Sequence, residues 1–207
     1  MKTIEELIEG YRAFRNGTYR RQAELYEALG EGQSPSIMLI ACADSRAEPS
    51  DIFNAAPGQL FVVRNVANLV PPYETTPGRH GVSAALEFAV TSLEVDHIVI
   101  MGHGGCGGVH ASLSAARNAP VGEFIGPWVK LLDSARDKVL AANPDDPQTA
   151  LEYEGVETSI ANLMTFPFVA ERVKSGQLSL HGAWFAIKLG QLHWRNAETG
   201  DFEVVEA

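Results

Sequence analysis

Three short runs made almost entirely of apolar residues constrain the fold of this chain most strongly. They are residues 37–41 (IMLIA), 60–63 (LFVV) and 97–101 (HIVIM). Runs of this length that are apolar on both faces are typical of strands buried in a parallel sheet. Between the second and third runs, residues 81–93 carry apolar side chains at helical spacing. Strand and helix therefore alternate, which predicts right-handed βαβ units and an α/β fold.

The remaining segments predict further helices and a closing hairpin. Helical spacing recurs over residues 109–117, 128–142 and 151–173, and Pro167 bends or breaks the last of these helices. Residues 178–187 are predicted to form a strand, and residues 192–194 return beside it after a turn at Gly190. The fold class is therefore α/β, with a mainly parallel central sheet flanked by helices and a C-terminal antiparallel edge strand or hairpin.

The first thirty residues form a separate feature. Apolar residues recur at helical spacing over residues 3–29 and are interrupted at Gly17, which predicts two amphipathic helices. Two interpretations are open: an ordinary pair of surface helices, or an arm that packs on a partner subunit, which we favour. We expect one domain over residues 1–207, with residues 1–30 as its N-terminal helical arm.

Composition excludes several classes of partner. The chain has 26 acidic and 16 basic residues and a net charge of −10, which argues against binding nucleic acid or an anionic membrane. No apolar run approaches the length of about 20 residues that a membrane span needs. The N-terminus is charged, and two cysteines make no disulfide framework, so we expect a soluble, cytoplasmic protein. Arg46 and Arg64 are candidates for attracting a small anion locally.

Both cysteines of the chain follow predicted strands. Cys42 comes directly after the first, and His103 and Cys106 come after the third. Since the carboxyl ends of parallel strands meet at one crevice, two thiolates and an imidazole can reach one ion there. Mixed sulfur and nitrogen ligands favour zinc, and Asp44 could occupy or guard the last position. The alternatives are buried cysteines acting as small hydrophobes and dithiol redox chemistry, which the 64-residue separation disfavours.

The segment after the third strand also fits a dinucleotide-binding pattern. Gly102, Gly104 and Gly107 have the spacing G-x-G-x-x-G. That site needs a second strand ending in an acidic residue about 20 residues further on, and residues 121–127 are too short and broken to supply it. We therefore expect the glycines to let the backbone fold closely around a metal. They also leave N–H groups, that of Gly107 among them, facing a small ligand at a helix N-terminus.

Residues 42–46 (CADSR), 61–68 (FVVRNVAN) and 102–108 (GHGGCGG) together resemble the β-class carbonic anhydrases. The resemblance extends from about Gln33 to Gly190, most of the chain. It implies one zinc ion per chain, bound by Cys42, His103 and Cys106. It also implies a catalytic pair of Asp44 and Arg46, in which the arginine holds the aspartate off the metal so that water takes the fourth position.

The resemblance is nearest to the plant-like branch of that family. Gln33 is similar to a substrate-pocket glutamine that the branch typically contributes across a dimer interface, and Phe61 and Val66 fit its apolar pocket. Phe88 is a candidate for the same pocket but stands where the branch usually has tyrosine, so a pocket hydroxyl is missing. Leu39 stands where the bicarbonate-inhibited branch carries tryptophan, so we expect no non-catalytic bicarbonate site.

The implied activity is reversible, zinc-dependent hydration of carbon dioxide to bicarbonate and a proton. The implied assembly is a homodimer, or a tetramer or octamer built from dimers. Two alternatives keep the fold: hydrolysis of carbonyl sulfide or carbon disulfide, and a non-catalytic protein that binds zinc or an anion. Asp44 and Arg46 could also form a plain structural salt bridge.

Overall fold

The computed structural model describes residues 3–76 and 78–206, which form two compact units, one ending at Ser34 and one beginning at Pro35. The first unit contains the helices α1 (Ile4–Asn16), α2 (Thr18–Arg21) and α3 (Ala23–Glu31). Two helices were predicted here. The second is divided because Gln22 leaves the helical conformation, with φ −114° and ψ 25°. The single-domain boundary stays a prediction.

The second unit is built on a six-stranded sheet in the order β2-β1-β3-β4-β5-β6. β1 pairs in parallel with β2 and β3, and β3 with β4, whereas β5 and β6 are antiparallel. The predicted mainly parallel sheet with a C-terminal hairpin is confirmed, and β6 is an addition that the sequence did not predict. The strands are β1 (Ile37–Cys42), β2 (Leu60–Asn65), β3 (His97–His103), β4 (Ser179–Ala186), β5 (Gln191–Arg195) and β6 (Phe202–Val204).

Helices flank this sheet, and two of the predicted ones are interrupted. The helix predicted over 128–142 contains a 3₁₀ turn at Lys130–Leu132, and the one predicted over 151–173 ends at Leu163, after which Pro167 starts a new helix. Among the described residues, no helix has the length and apolar character that crossing a bilayer requires. The helices are α4 (Pro49–Ile52), α5 (Gly81–Glu87) with a π turn at Phe88–Ser92, α6 (Gly107–Ala115), α7 (Ile125–Val129), α8 (Asp133–Ala142), α9 (Pro147–Leu163) and α10 (Pro167–Lys174).

The central strands are buried on both faces, which explains why they are apolar throughout. Because successive side chains of a strand point to opposite faces, β1 and β3 each contribute to two apolar clusters. One face packs against α5, α9 and α10, and its central members are Met38, Ile40, Ile98, Ile100, Leu86, Val156, Leu163 and Val169. The other face is formed by Leu39, Ala41, Val99, Met101 and Ala183.

The parallel register of β1 and β3 fixes where their ends lie. Ile37 is opposite His97, and Ala41 is opposite Met101. The carboxyl ends of the two strands, at Cys42 and His103, therefore lie side by side at one edge of the sheet. Beyond them, α6 starts at Gly107 and packs closely on the 3₁₀ turn Val66–Asn68 that follows β2.

We expect Gly108→Ala to destabilise the protein. A Cβ atom at Gly108 would lie 2.6 Å from Cγ1 of Val66 and 2.9 Å from Cβ of Ala67, whose φ of 64° leaves it little freedom to move. Such overpacking costs about 1–3 kcal/mol, whereas the gain in helix propensity is at most about 1 kcal/mol. The net loss should lower the melting temperature by about 2–4 °C per kcal/mol.

Gly81→Ala is the matched control, because Gly81 also opens a helix but has no atom within 4 Å of the added Cβ. Thermal unfolding of both variants checks the expectation. An equal or higher melting temperature for Gly108→Ala than for Gly81→Ala would contradict the tight packing of α6.

Candidate active site

Three predicted ligand residues converge at the carboxyl edge of the sheet. Cys42 ends β1, His103 ends β3, and Cys106 is the N-cap of α6. The side-chain ligand atoms of all three lie within 4.8 Å of one another, and the two Sγ atoms are 3.9 Å apart. All three residues are buried, with at most 6% of their surface exposed. The arrangement is therefore a group able to hold a metal ion.

The glycine-rich segment after β3 brings His103 and Cys106 together. Gly105 has φ +68°, a conformation that glycine adopts without strain. Gly104 lies under the indole ring of Trp184, since an added Cβ there would be 3.2 Å from Cζ2 of that ring. A tight turn at Gly105 and close packing at Gly104 account for these two glycines, whereas a backbone folded around a metal stays a prediction.

His103 presents a nitrogen toward the thiols. Its Nδ1 lies 3.1 Å from the carbonyl oxygen of Gly104, so this nitrogen carries the hydrogen and donates it. The buried Nε2 has no hydrogen-bond partner among the described residues. A hydrogen bond that fixes one ring nitrogen and leaves the other free is the usual arrangement of a metal-binding histidine.

The two thiols interact strongly. Hydrogen bonding to Cys106 lowers the pKa of Cys42, and the same contact, together with burial, raises the pKa of Cys106. Burial acts to lower the pKa of His103, but the contact with Cys42 and the charges of Cys42 and Asp44 outweigh it, so the net shift in that pKa is upward. One thiolate therefore forms readily, at Cys42. A second thiolate, at Cys106, is unfavourable beside the first unless a cation neutralises the charge.

Asp44 and Arg46 form the predicted pair next to these ligands. Arg46 donates from its backbone N–H and from Nε to Oδ1 of Asp44, both at 2.9 Å, and from Nη2 to Oδ2 at 2.7 Å. The backbone contact is an Asx turn, which the D-S-R sequence favours locally. These hydrogen bonds hold the pKa of Asp44 well below its usual range. Oδ2 lies 3.8 Å from Nε2 of His103, beyond hydrogen-bond distance.

Two further contacts fix the loop that carries this pair. Arg46 donates from Nη2 to the carbonyl oxygen of Gly105 at 3.1 Å, which ties it to the segment after β3. Arg64 donates to the carbonyl oxygens of Cys42 at 2.8 Å, Asp44 at 2.6 Å and Ala47 at 3.2 Å, and pairs with the carboxylate of Glu48. Arg64 thus holds the loop instead of being free to bind an anion.

The predicted substrate-pocket residues fall into separate places. Val66 packs with Cys42 and Cys106 in one apolar cluster, and Gly107 begins α6 directly after Cys106. Phe61 and Phe88 pack together with ring centroids 5.9 Å apart. Asn65 is opposite Cys42 at the carboxyl end of β2. Phe61 lies four residues before Asn65, which places it about 13 Å along the strand from that end. Gln33 belongs to the N-terminal unit.

Sequence reasoning missed Glu152, a buried carboxylate on α9 that accepts a hydrogen bond from the backbone N–H of Cys106 at 2.8 Å. A signal for it existed. Helical spacing places Glu152 on one face together with residues 155, 156, 159 and 163. Those four residues are apolar or small. A charged residue on such a face points to a specific buried partner. Trp128, whose indole N–H donates to the carbonyl oxygen of Val66 at 2.7 Å, was missed as well.

Comparison with known proteins agrees with this geometry. A family model for carbonic anhydrases matches residues 37–192. Beta carbonic anhydrase 3 of Arabidopsis thaliana is 37% identical over 191 residues, covering 89% of this chain and 74% of that protein.

Solved structures give the same result. The β-carbonic anhydrase CcaA superposes with a TM-score of 0.91 at 33% identity, covering 99% of this chain and 92% of that one. A tetrameric β-carbonic anhydrase from the ascomycete Sordaria macrospora superposes with a TM-score of 0.81 at 29% identity, covering 92% and 95%. The fold, the Cys-His-Cys group and these relatives agree, and the chain belongs to the β-class carbonic anhydrases.

Proposed function

We propose that this chain catalyses the reversible hydration of carbon dioxide to bicarbonate and a proton, with one zinc ion held by Cys42, His103 and Cys106. The observation that carries the proposal is the convergence of these three ligands within 4.8 Å beside a carboxylate that Arg46 holds in place. The named relatives are carbonic anhydrases, which supports the same chemistry here. A cytoplasmic location stays a prediction.

The donor set fits zinc. In a tetrahedral site with Zn–S bonds of about 2.3 Å, two sulfurs lie about 3.8 Å apart; the Sγ atoms here are 3.9 Å apart. The buried Nε2 of His103, without a partner among the described residues, supplies the third ligand atom. Two thiolates and a neutral imidazole balance the charge of a divalent cation, so a bound cation would stabilise the second thiolate.

The chain's own side chains would organise the reaction. Zinc bound here would supply a Lewis acid that lowers the pKa of water to about 7 in favourable sites. Asp44, whose pKa is lowered by Arg46 and which is therefore ionised at neutral pH with a wide margin, would accept a hydrogen bond from the reacting water and orient a lone pair of that water toward carbon dioxide. Arg46 keeps both carboxylate oxygens engaged and so holds Asp44 away from the metal. Val66 gives the pocket an apolar wall next to the ligands.

We infer in addition that a second copy of the chain completes the substrate pocket. Phe61 and Phe88 lie away from the metal group of their own chain, and Phe88 is 46% exposed. On α1, the apolar side chains of Ile4, Leu7, Ile8 and Tyr11 follow one face and are 47–67% exposed, so an apolar stripe is left uncovered. A symmetric dimer would cover that stripe, and the tetrameric Sordaria relative supports such an assembly.

We expect His103→Gln to lose zinc and His110→Gln to keep it. His103 points its free nitrogen at the thiols, whereas His110 is exposed on α6, four residues after Cys106. Metal analysis of the purified proteins should find close to one zinc per chain in the wild type and in His110→Gln. Equal zinc content in all three proteins would contradict the proposed ligand set.

We expect Asp44→Asn to lower the rate of carbon dioxide hydration by about 100-fold or more, the range of a positioned proton-accepting group. The amide would present an N–H₂ group where the carboxylate accepts a hydrogen bond. Zinc content should not change, because Asp44 is not among the three converging ligands. Asp51→Asn, an exposed carboxylate on α4, is the control and should keep the wild-type rate in stopped-flow assays. An unchanged rate for Asp44→Asn would make the pair a structural salt bridge.

We expect Leu7→Glu to weaken the assembly and with it the hydration rate. The charge falls on the exposed apolar stripe of α1, where burial against a partner would be unfavourable. Asn16→Glu serves as the control. It adds the same charge on the opposite side of α1, because a helix turns by about 100° per residue and Asn16 therefore lies about 180° from Leu7. Sedimentation velocity should show a smaller species for Leu7→Glu alone. A wild type that sediments as a monomer with full activity would rule out the proposed shared pocket.

A further inference from the structure

Glu152 is a buried carboxylate surrounded by hydrogen-bond donors. It is 2% exposed on α9. Its Oε1 accepts from the backbone N–H of Cys106 at 2.8 Å and from Nε2 of Gln148 at 2.7 Å, and its Oε2 accepts from the indole N–H of Trp184 at 3.1 Å. Each of the three partners donates a hydrogen bond to the carboxyl group.

No basic side chain among the described residues pairs with this carboxyl group. None of the ion pairs among residues 3–76 and 78–206 includes Glu152, and its three donors are neutral groups. A buried carboxyl group contributes less to stability than a well-packed apolar residue on the same helix face would. Its position is therefore better explained by what it holds than by a contribution to the fold.

What it holds is the peptide backbone of a metal ligand. Cys106 is the N-cap of α6, where the backbone N–H has no partner within the helix. Glu152 accepts that N–H, and Gln148 donates from Nε2 to the carbonyl oxygen of the same residue at 3.1 Å. Both polar backbone groups of Cys106 are thus fixed from α9. Trp184 fixes the other carboxylate oxygen and lies over Gly104, so the loop is held from two elements.

We propose that Glu152 is a positioning residue of the metal site, which fixes the Cys106 backbone so that its Sγ stays directed at Cys42 and His103. This inference rests on the proposed zinc site. Hydrogen-bonding partners outside the ligand set orient ligands in this way, and losing one typically costs 10–100-fold in metal affinity. Glu152 does so through a main-chain N–H, whereas partners of ligating histidines act on the side chain.

The test is the rate at which the zinc-loaded protein releases zinc to a chromogenic chelator. We expect Glu152→Gln to release zinc about 10–100-fold faster than the wild type. The reason is that both oxygens of Glu152 accept from N–H donors. Whichever oxygen the amide NH₂ group replaces, it would face a donor instead of an acceptor. Glu154→Gln is the matched control: it is the same substitution two residues along α9, at a side chain that pairs with Lys138 at 2.8 Å and has no hydrogen bond to the loop among the described residues. It should release zinc at the wild-type rate.

Two further measurements separate positioning from a general effect on the fold. The absorption spectrum of the cobalt-substituted protein should change in Glu152→Gln and not in Glu154→Gln, because it reports the geometry of the thiolates around the metal. If Glu152→Gln lowered only the melting temperature of the metal-free protein, with zinc release and cobalt spectrum as in the wild type, the proposal would be overturned.

A second variant tests the same network if Glu152→Gln does not fold. Gln148→Met keeps the length of a half-buried side chain but removes its two donated hydrogen bonds. It should release zinc faster than Glu154→Gln, and an equal rate would count against the proposal. A wild type that holds zinc but does not hydrate carbon dioxide would contradict the proposed function alone. A wild type that binds no zinc would overturn both.

Discussion

β1 and β3 lie side by side in parallel register, with Ile37 opposite His97 and Ala41 opposite Met101. This register brings Cys42 beside the segment His103–Cys106, although the two cysteines are 64 residues apart in the sequence. A shift of either strand by one residue would turn the side chains of that strand to the opposite face of the sheet. The apolar side chains buried on both faces make such a shift costly, so the core that stabilises the fold also fixes the distance between the thiols.

Electrostatic interactions give the residues around the two thiols different roles. Each thiol affects the ionisation of the other, so a second thiolate is unfavourable beside the first. The hydrogen bonds from Arg46 lower the pKa of Asp44 and hold the carboxylate in place, beside the Cys-His-Cys group instead of within it. Arg64 and Glu152 act one step further out, on the backbone of the loops that carry these residues. Both loops are thus held by charged side chains through main-chain groups.

Much of the fold and of the candidate site was predictable from the sequence, because the strongest patterns are local. Apolar runs predicted β1, β2 and β3, and the D-S-R turn follows from the side chain of Asp44 accepting an N–H two residues later. β6 was not predictable, since Phe202–Val204 has three residues and stays partly exposed beside β5. The break at Lys130–Leu132 contains no glycine or proline to announce it. Helical spacing could have marked Glu152 as a charged residue on an apolar face, but the backbone groups that Glu152 and Arg64 contact depend on how α9 and β2 pack, which the sequence pattern does not reveal.

We propose that a metal held by the Cys-His-Cys group makes this chain a hydration catalyst. The most direct measurement titrates zinc into the metal-free protein and follows both bound zinc and the stopped-flow rate of carbon dioxide hydration in the same samples. We expect a rate that rises in proportion to bound zinc and stops rising at one zinc per chain. A chain fully loaded with zinc that leaves carbon dioxide hydration at the uncatalysed rate would contradict it.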